Sequence, residues 1–287
     1  FGFQRVMDLI WAGGDSRARG FLLGGTAGRT TLNGEGLQHE DGHSQLWAAA
    51  IPNCVPYDPC FAYEVAVIIH DGLRRMLEER RDEFHYVTLM NENYEQPSLP
   101  PDAHADLLRG MYRWRRAERP APAHVQLLGA GAILREVIAA AELLEADFGV
   151  TADIWSCPSF TLLARDGQAS ERWNLLHPGE VAARTCHVER CLRDTRGPVI
   201  AATDYVRALA EQIRPWVRAR YTVLGTDGFG RSDTRERLRH FFEVGRHWIV
   251  LAALKALADD QSLPMATVRA AIERYGLDPD KADPRTI

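Results

Sequence analysis

The stretch VQLLGAGAILREVIAAAELLEADFGVTADIWSC, residues 125–157, decides the fold. It opens on the apolar run Val125 to Leu128, crosses a glycine turn, and continues from Ile133 to Phe148 with apolar side chains returning every three or four positions. A second apolar run, Asp153 to Cys157, follows Gly149. A short apolar run, a segment of helical period and another short run read as strand, helix, strand. Two strands joined by a helix lie parallel in a sheet with helices on its faces, so the class is α/β.

The same alternation runs outward. Downstream, it predicts helical material over Phe160 to Trp173, a strand at Val199 to Thr203, a helix at Tyr205 to Ile213, a strand at Tyr221 to Leu224 and helices from Asp233 onward. Residues 125–287 thus form one α/β domain of ordinary size. Upstream, Phe3, Val6 and Ile10 give a helix over residues 1–12, ended by Gly13-Gly14; Phe21 to Leu23 reads as a buried strand. Leu46 to Ile51 fits a strand, Pro52 to Pro59 a turn region, Phe61 to Glu79 a helix and Phe84 to Met90 a strand, which places another α/β unit in residues 1–93. Residues 94–124, with Pro97, Pro100, Pro101, Pro120 and Pro122 around a polar stretch, read as the interdomain linker.

Composition excludes several classes. With 287 residues and 46% apolar content the chain can bury a core without disulfide or metal staples. A formal charge of -5 argues against nucleic acid as a partner, since binding phosphates needs a basic face. Only Lys255 and Lys281 are lysines, and the arginines are spread along the chain, which reads as coding bias. Cys54, Cys60, Cys157, Cys186 and Cys191 include no C-x-x-C pair and suit a reducing compartment. The apolar run Trp248 to Leu254 is far shorter than the roughly 20 residues that span a bilayer, so no membrane role is expected, and a soluble cytoplasmic protein is. The chain opens at Phe1 already inside a helical pattern, which reads as part of a longer polypeptide.

Residues 24–44 carry six glycines (24, 25, 28, 34, 36, 42) among Glu35, His39, Glu40, Asp41 and His43. A long irregular stretch of this composition is a functional loop by expectation. His39 to His43 matches H-E-x-x-H letter by letter, but that zinc motif needs a helix to put both imidazoles on one face, and Asp41-Gly42 is a turn signal. The loop instead offers His39 and its carboxylate neighbours to a cleft, with the imidazole suited to proton exchange near neutral pH. Solvated groups on a polar turn are the plain alternative. Leu127 to Ala132 looks like a dinucleotide turn, yet Leu134 stands where the third glycine is required, and a simple strand-to-helix turn is the better reading. The chain has no P-loop. Asp227 to Glu236 reads as architecture or interface, with Asp233 capping the next helix and Glu236 completing a capping box.

Four blocks together carry a resemblance: Phe1-Gly-Phe-Gln-Arg5, Phe21 to His43, Leu89-Met-Asn-Glu-Asn-Tyr94 and Leu224 to Glu236. They resemble the homodimeric bacterial pyruvate dehydrogenase, its first, decarboxylating component, within the transketolase superfamily. The resemblance spans the whole chain. It implies the C-terminal part of a pyrimidine-binding thiamine-diphosphate domain (1–93) followed by a transketolase-like C-terminal α/β domain (125–287). It also implies thiamine diphosphate and Mg2+ as cofactors, with the diphosphate-binding domain and magnesium ligands before Phe1, so that the fragment alone is inactive. Pyruvate, the lipoyl domain of a dihydrolipoyl acetyltransferase and a second copy in a homodimer are the partners implied. By position, Phe1 corresponds to the aromatic packed on the cofactor's pyrimidine, His39 to the histidine handling the substrate-derived hydroxyl, and Glu35 to its acidic neighbour. Asp41 and His43 stand behind them as supporting residues, and Arg5 has a weaker claim. The alternatives are a transketolase or another 2-oxo acid dehydrogenase, and, in a different class, a noncatalytic α/β dimerisation or docking module.

Overall fold

The computed structural model describes residues 2–179 and 182–287 and distributes them over two sheets, one parallel and one mixed. The first sheet has β1 (Phe21–Gly25), β2 (Cys54–Tyr57) and β3 (Phe84–Leu89) in the order β1-β3-β2, all parallel. Its helices are α1 (Gly2–Arg5), α2 (Met7–Asp15), α3 (Ser44–Ala50) and α4 (Ala62–Leu73). The central strand β3 is buried on both faces: Phe84 and Tyr86 pack with Phe3, Ala48 and Ile51, while Val87 packs with Val55, Tyr57 and Ile68. Successive strand residues point to opposite faces, so a strand covered on both sides reads as a continuous apolar run.

A helix α5 (His104–Leu108) leads to the second sheet, β4 (Tyr112–Arg115), β5 (His124–Gly129), β6 (Thr151–Ser156), β7 (Val199–Ala202) and β8 (Tyr221–Leu224). Its order is β4-β6-β5-β7-β8, parallel except for the antiparallel edge strand β4. Leu127, Ile154 and Ile200 face α6 (Ile133–Phe148) and α11 (Arg246–Asp259) through Val137, Leu144 and Ile249; their neighbours Leu128, Trp155 and Ala201 face α7 (Phe160–Leu176) through Phe160 and Leu163. Each fully buried Leu or Ile of this core contributes about 1.5–3 kcal/mol. The remaining helices are α8 (His187–Leu192), α9 (Ala208–Glu211), α10 (Arg235–Phe241) and α12 (Met265–Arg274). No helix among the described residues is long and apolar enough to cross a membrane.

Several expectations need correction. Leu46 to Ile51 is not a strand: Leu46 to Ala50 is the body of α3 and Ile51 caps its end, because Asp41 Oδ1 accepts the N–H groups of His43 (3.0 Å) and Ser44 (2.9 Å) and starts a helix there. The strand lies in the expected turn region instead: Pro56 fits β2 because β2 is an edge strand, where a missing N–H costs no ladder bond. Residues 94–124, expected as a linker, contain α5 and β4, and β4 pairs with β6. Its sequence Tyr-Arg-Trp-Arg hid it, since a half-exposed edge strand tolerates arginines; Arg113 lies over the Trp155 ring. The cap of α10 is Thr234, whose hydroxyl accepts from Arg237 N–H, with Asp233 one place too early. At the turn after β5, Gly129 is required because a Cβ would come within 2.8 Å of Leu134 Cα.

Candidate functional site

The carboxyl end of β1, the helices α1 and α2, and the glycine loop that follows β1 enclose a cavity of about 730 Å³. Phe3, Val6, Ile10, Leu22 and Leu23 form its apolar side; Glu35, His39, Asp41 and Tyr86 supply polar atoms. A site at the carboxyl end of parallel strands is where α/β folds place ligands. The Phe3 ring packs on Tyr86, centroids 4.8 Å apart, and the Tyr86 hydroxyl donates to Ser44 Oγ at 2.9 Å. Ser44 in turn donates to Asp41 Oδ2, so the wall of the cavity and the start of α3 are one hydrogen-bonded unit.

His39 ends a short 3-10 turn, Leu37–His39, with its Nδ1 3.4 Å from Glu35 Oε2 and both side chains about half exposed, 43% and 50%. The structure brings His39 and Glu35 together on the cavity. Asp41 lines the same cavity, yet its carboxylate is committed to the N-terminus of α3. His43 sits behind it, in contact with the Gln4 side chain through Nε2 and 3.5 Å from Arg29 through Nδ1. Burial, aided by the Arg29 charge and opposed by Asp41, holds His43 below the usual histidine range. Phe1 lies outside the described residues. Among the described residues no group of three or more His, Cys, Asp or Glu is placed to hold a metal ion.

The loop does not hold its own shape. Asp204, fully buried after β7, accepts from Thr30 N–H (3.0 Å), Thr30 Oγ1 (2.7 Å) and Thr31 Oγ1 (2.8 Å). Arg29 donates to the carbonyls of Thr226 (3.0 Å) and Gly228, Val206 N–H donates to Gly42 O (2.8 Å), and Gly34 N–H donates to Asp233 O (3.1 Å). Gly28, at φ +92°, has no room for a Cβ beside the Asp204 carboxylate. Sequence reasoning named none of Arg29, Asp204 and Tyr86. The available signal was the Asp227 to Glu236 segment read as an interface, from which Gly228, Arg231 and Asp233 bond to the loop.

Residues 1–97 match the family model of the pyruvate dehydrogenase E1 component middle domain, and residues 110–245 match that of the transketolase-like C-terminal domain. The two matches together put a pyruvate dehydrogenase E1 middle domain before a transketolase-like C-terminal domain. It is similar over its whole length to the pyruvate dehydrogenase E1 component of Cupriavidus necator, 62% identical over 288 residues, and over 99% of its length to that of Pseudomonas aeruginosa, 61% identical. The Escherichia coli K12 protein of the same name is 53% identical over 287 residues. The chain spans about a third of these relatives, 32% of each. Among solved structures, transketolase from Campylobacter jejuni matches with TM-score 0.65 at 17% identity, over 88% of this chain and 34% of that one. Transketolase from Leishmania mexicana matches with TM-score 0.58 at 17% identity, over 96% and 33%. At such identities the likeness shows the fold, and it agrees with the two-sheet architecture of this chain.

Proposed function

We propose that this chain supplies one wall and the proton-handling loop of a pyruvate dehydrogenase active site, which oxidatively decarboxylates pyruvate and passes the acetyl group to a lipoyl domain. The observation that carries it is the His39 and Glu35 pair at the lip of the apolar cavity. Removing carbon dioxide from a 2-oxo acid leaves an electron pair that no side chain can hold; bound thiamine diphosphate supplies the electron sink. The cavity suits the organic part of that cofactor, since Phe3, Ile10 and Leu22 offer apolar packing and Tyr86 and the backbone of Gly24 to Thr26 offer polar edges. In this reading the magnesium ligands come from other parts of the family's polypeptide.

The chain's own residues orient and move protons. His39 is within reach of the cavity and exchanges a proton with the substrate-derived oxygen; Glu35 holds the imidazole in register through Nδ1. In this reading the working enzyme is a homodimer in the cytoplasm, where the cysteines Cys54, Cys60, Cys157, Cys186 and Cys191, free in the structure, remain reduced. The test is carbon dioxide release from pyruvate by the full-length polypeptide with thiamine diphosphate and Mg2+, in the wild type and in His39→Ala and Glu35→Gln. Loss of turnover in the variants supports the reading. Undiminished turnover makes the loop structural, and activity on sugar phosphates or longer 2-oxo acids in place of pyruvate reassigns the substrate.

A further inference from the structure

Between His39 and Asp41 the chain carries Glu40, which does not line the cavity but turns into the seam with the second unit. It is only 3% exposed. Its Oε2 accepts the backbone N–H of Arg231 at 2.8 Å, and its Oε1 is buried without a hydrogen-bond partner. Building on the role proposed for His39, we propose that Glu40 is a positioning residue for that histidine, bolting the His39 turn to the Gly228 to Arg231 loop of the C-terminal unit.

Three features support it. The turn that bears His39 has short-range backbone bonds, His39 N–H to Gly36 O at 2.9 Å and Glu40 N–H to Leu37 O at 3.4 Å, beside the Glu35 contact of the imidazole. A single 3-10 turn has poor intrinsic stability and takes its orientation from what it packs on. That packing is backbone on backbone: at Gly230 a Cβ would overlap Leu37 O and come within 3.0 Å of Glu40 Cβ, so the two loops touch as closely as main chains can. The flanking anchors, Gly34 N–H to Asp233 O and Val206 N–H to Gly42 O, fix the ends of the loop, and between them Glu40, next to His39 in the chain, bonds the loop to Arg231 of the second unit. The charged groups facing Glu40 are Arg29 from the same loop and Asp204 from the second unit. Burial first, and Asp204 second, push its carboxyl up to about 7, against the Arg231 N–H and Arg29. Glutamine is therefore the conservative replacement: neutral, of the same length, with one oxygen left for Arg231 N–H.

The experiment compares Glu40→Ala, Glu40→Gln and Glu40→Asp in the full-length polypeptide, each with and without His39→Ala, reading kcat and KM for pyruvate and confirming folding by thermal melts. Misplacing a catalytic group by an ångström costs up to about a hundredfold in rate, so Glu40→Ala is expected to lower kcat by about ten- to a hundredfold with KM changed less than about threefold. Glu40→Gln is expected to restore kcat to within about threefold of wild type, and Glu40→Ala to cost nothing further once His39 is alanine, the mark of two residues acting as one unit. If Glu40→Ala does not fold, Glu40→Asp, which shortens the tether by one methylene, carries the same expectation. A wild-type kcat in Glu40→Ala (or in Glu40→Asp where it stands in), a Glu40→Gln protein as slow as Glu40→Ala, or losses that multiply with that of His39→Ala, overturns the proposal. If His39→Ala is itself silent, the role of His39 falls and this proposal with it; if His39→Ala is impaired while Glu40→Ala is silent or multiplies, only this proposal falls.

Discussion

Replacing Asp204 by alanine tests whether the seam between the two units holds the candidate site together. The carboxylate is fully buried and accepts three hydrogen bonds, from Thr30 N–H, Thr30 Oγ1 and Thr31 Oγ1, on residues that are themselves fully buried. Truncation leaves one N–H and two hydroxyls without an acceptor. Each unsatisfied buried group costs about 1–3 kcal/mol, and the hydroxyls can rotate to other partners while the N–H cannot. Against this stands relief of a buried charge, since burial raises the Asp204 carboxyl above the ordinary range despite its Thr30 and Thr31 donors and Arg239. The net expectation is a loss of about 2–4 kcal/mol out of a total stability of roughly 5–15 kcal/mol. Asp204→Asn keeps the volume and an acceptor for Thr30, and turns its amide toward the Thr31 hydroxyl, which can accept; it should cost about 1 kcal/mol or less. Because the folded carboxyl is raised, the stability it confers is full below the ordinary carboxylate range and declines as the pH rises, so the Asn deficit should shrink toward neutral pH. Urea unfolding followed by tryptophan fluorescence measures all three proteins. An Asp204→Ala protein as stable as wild type, or an Asn variant as damaged as the Ala variant, refutes the hydrogen-bond argument.

Asp58 is pushed up to about 7 by burial, with Thr88 donating to one oxygen while the other lies against Gly131, where a Cβ would sit 2.5 Å away. The wild type should therefore lose stability as pH rises from the ordinary carboxylate range to about 7, and Asp58→Asn should flatten that decline when melts are compared at pH 5 and pH 8. Gly131, at φ +50°, should tolerate alanine poorly, with about 1–2 kcal/mol from the left-handed backbone and more from displacing Asp58, read as a lowered urea midpoint. Arg165 reaches from α7 to the carbonyls of Cys54 (2.6 Å), Ala49 (3.0 Å) and Ile51 (2.9 Å), so Arg165→Met should cost about 2–4 kcal/mol by the same assay.

The α/β class was legible because buried strands and amphipathic helices leave different periods, and Ile133 to Phe148 matched α6 at both ends. Elements set by polar capping or by edge position were not: Leu46 to Ile51 has no period of its own, and α3 depends on Asp41, while Pro56 and Arg113 disguise edge strands. At the site, the glycine-rich composition of residues 24–44 marked the loop, but His39 and Glu35 were paired by the family resemblance alone; the structure sets them 3.4 Å apart. Asp204 and Arg231 could not be named, since their contacts with the loop cross 174 and 191 residues of chain. Long-range polar contacts leave no local pattern in a sequence.

The most direct test of the account is the rate of carbon dioxide release from pyruvate by the full-length polypeptide, wild type against His39→Ala, at saturating thiamine diphosphate and Mg2+. A proton-transfer group contributes about 10²–10⁴-fold, so the account predicts a fall of at least about a hundredfold with cofactor affinity unchanged. Equal rates in the two proteins would contradict it.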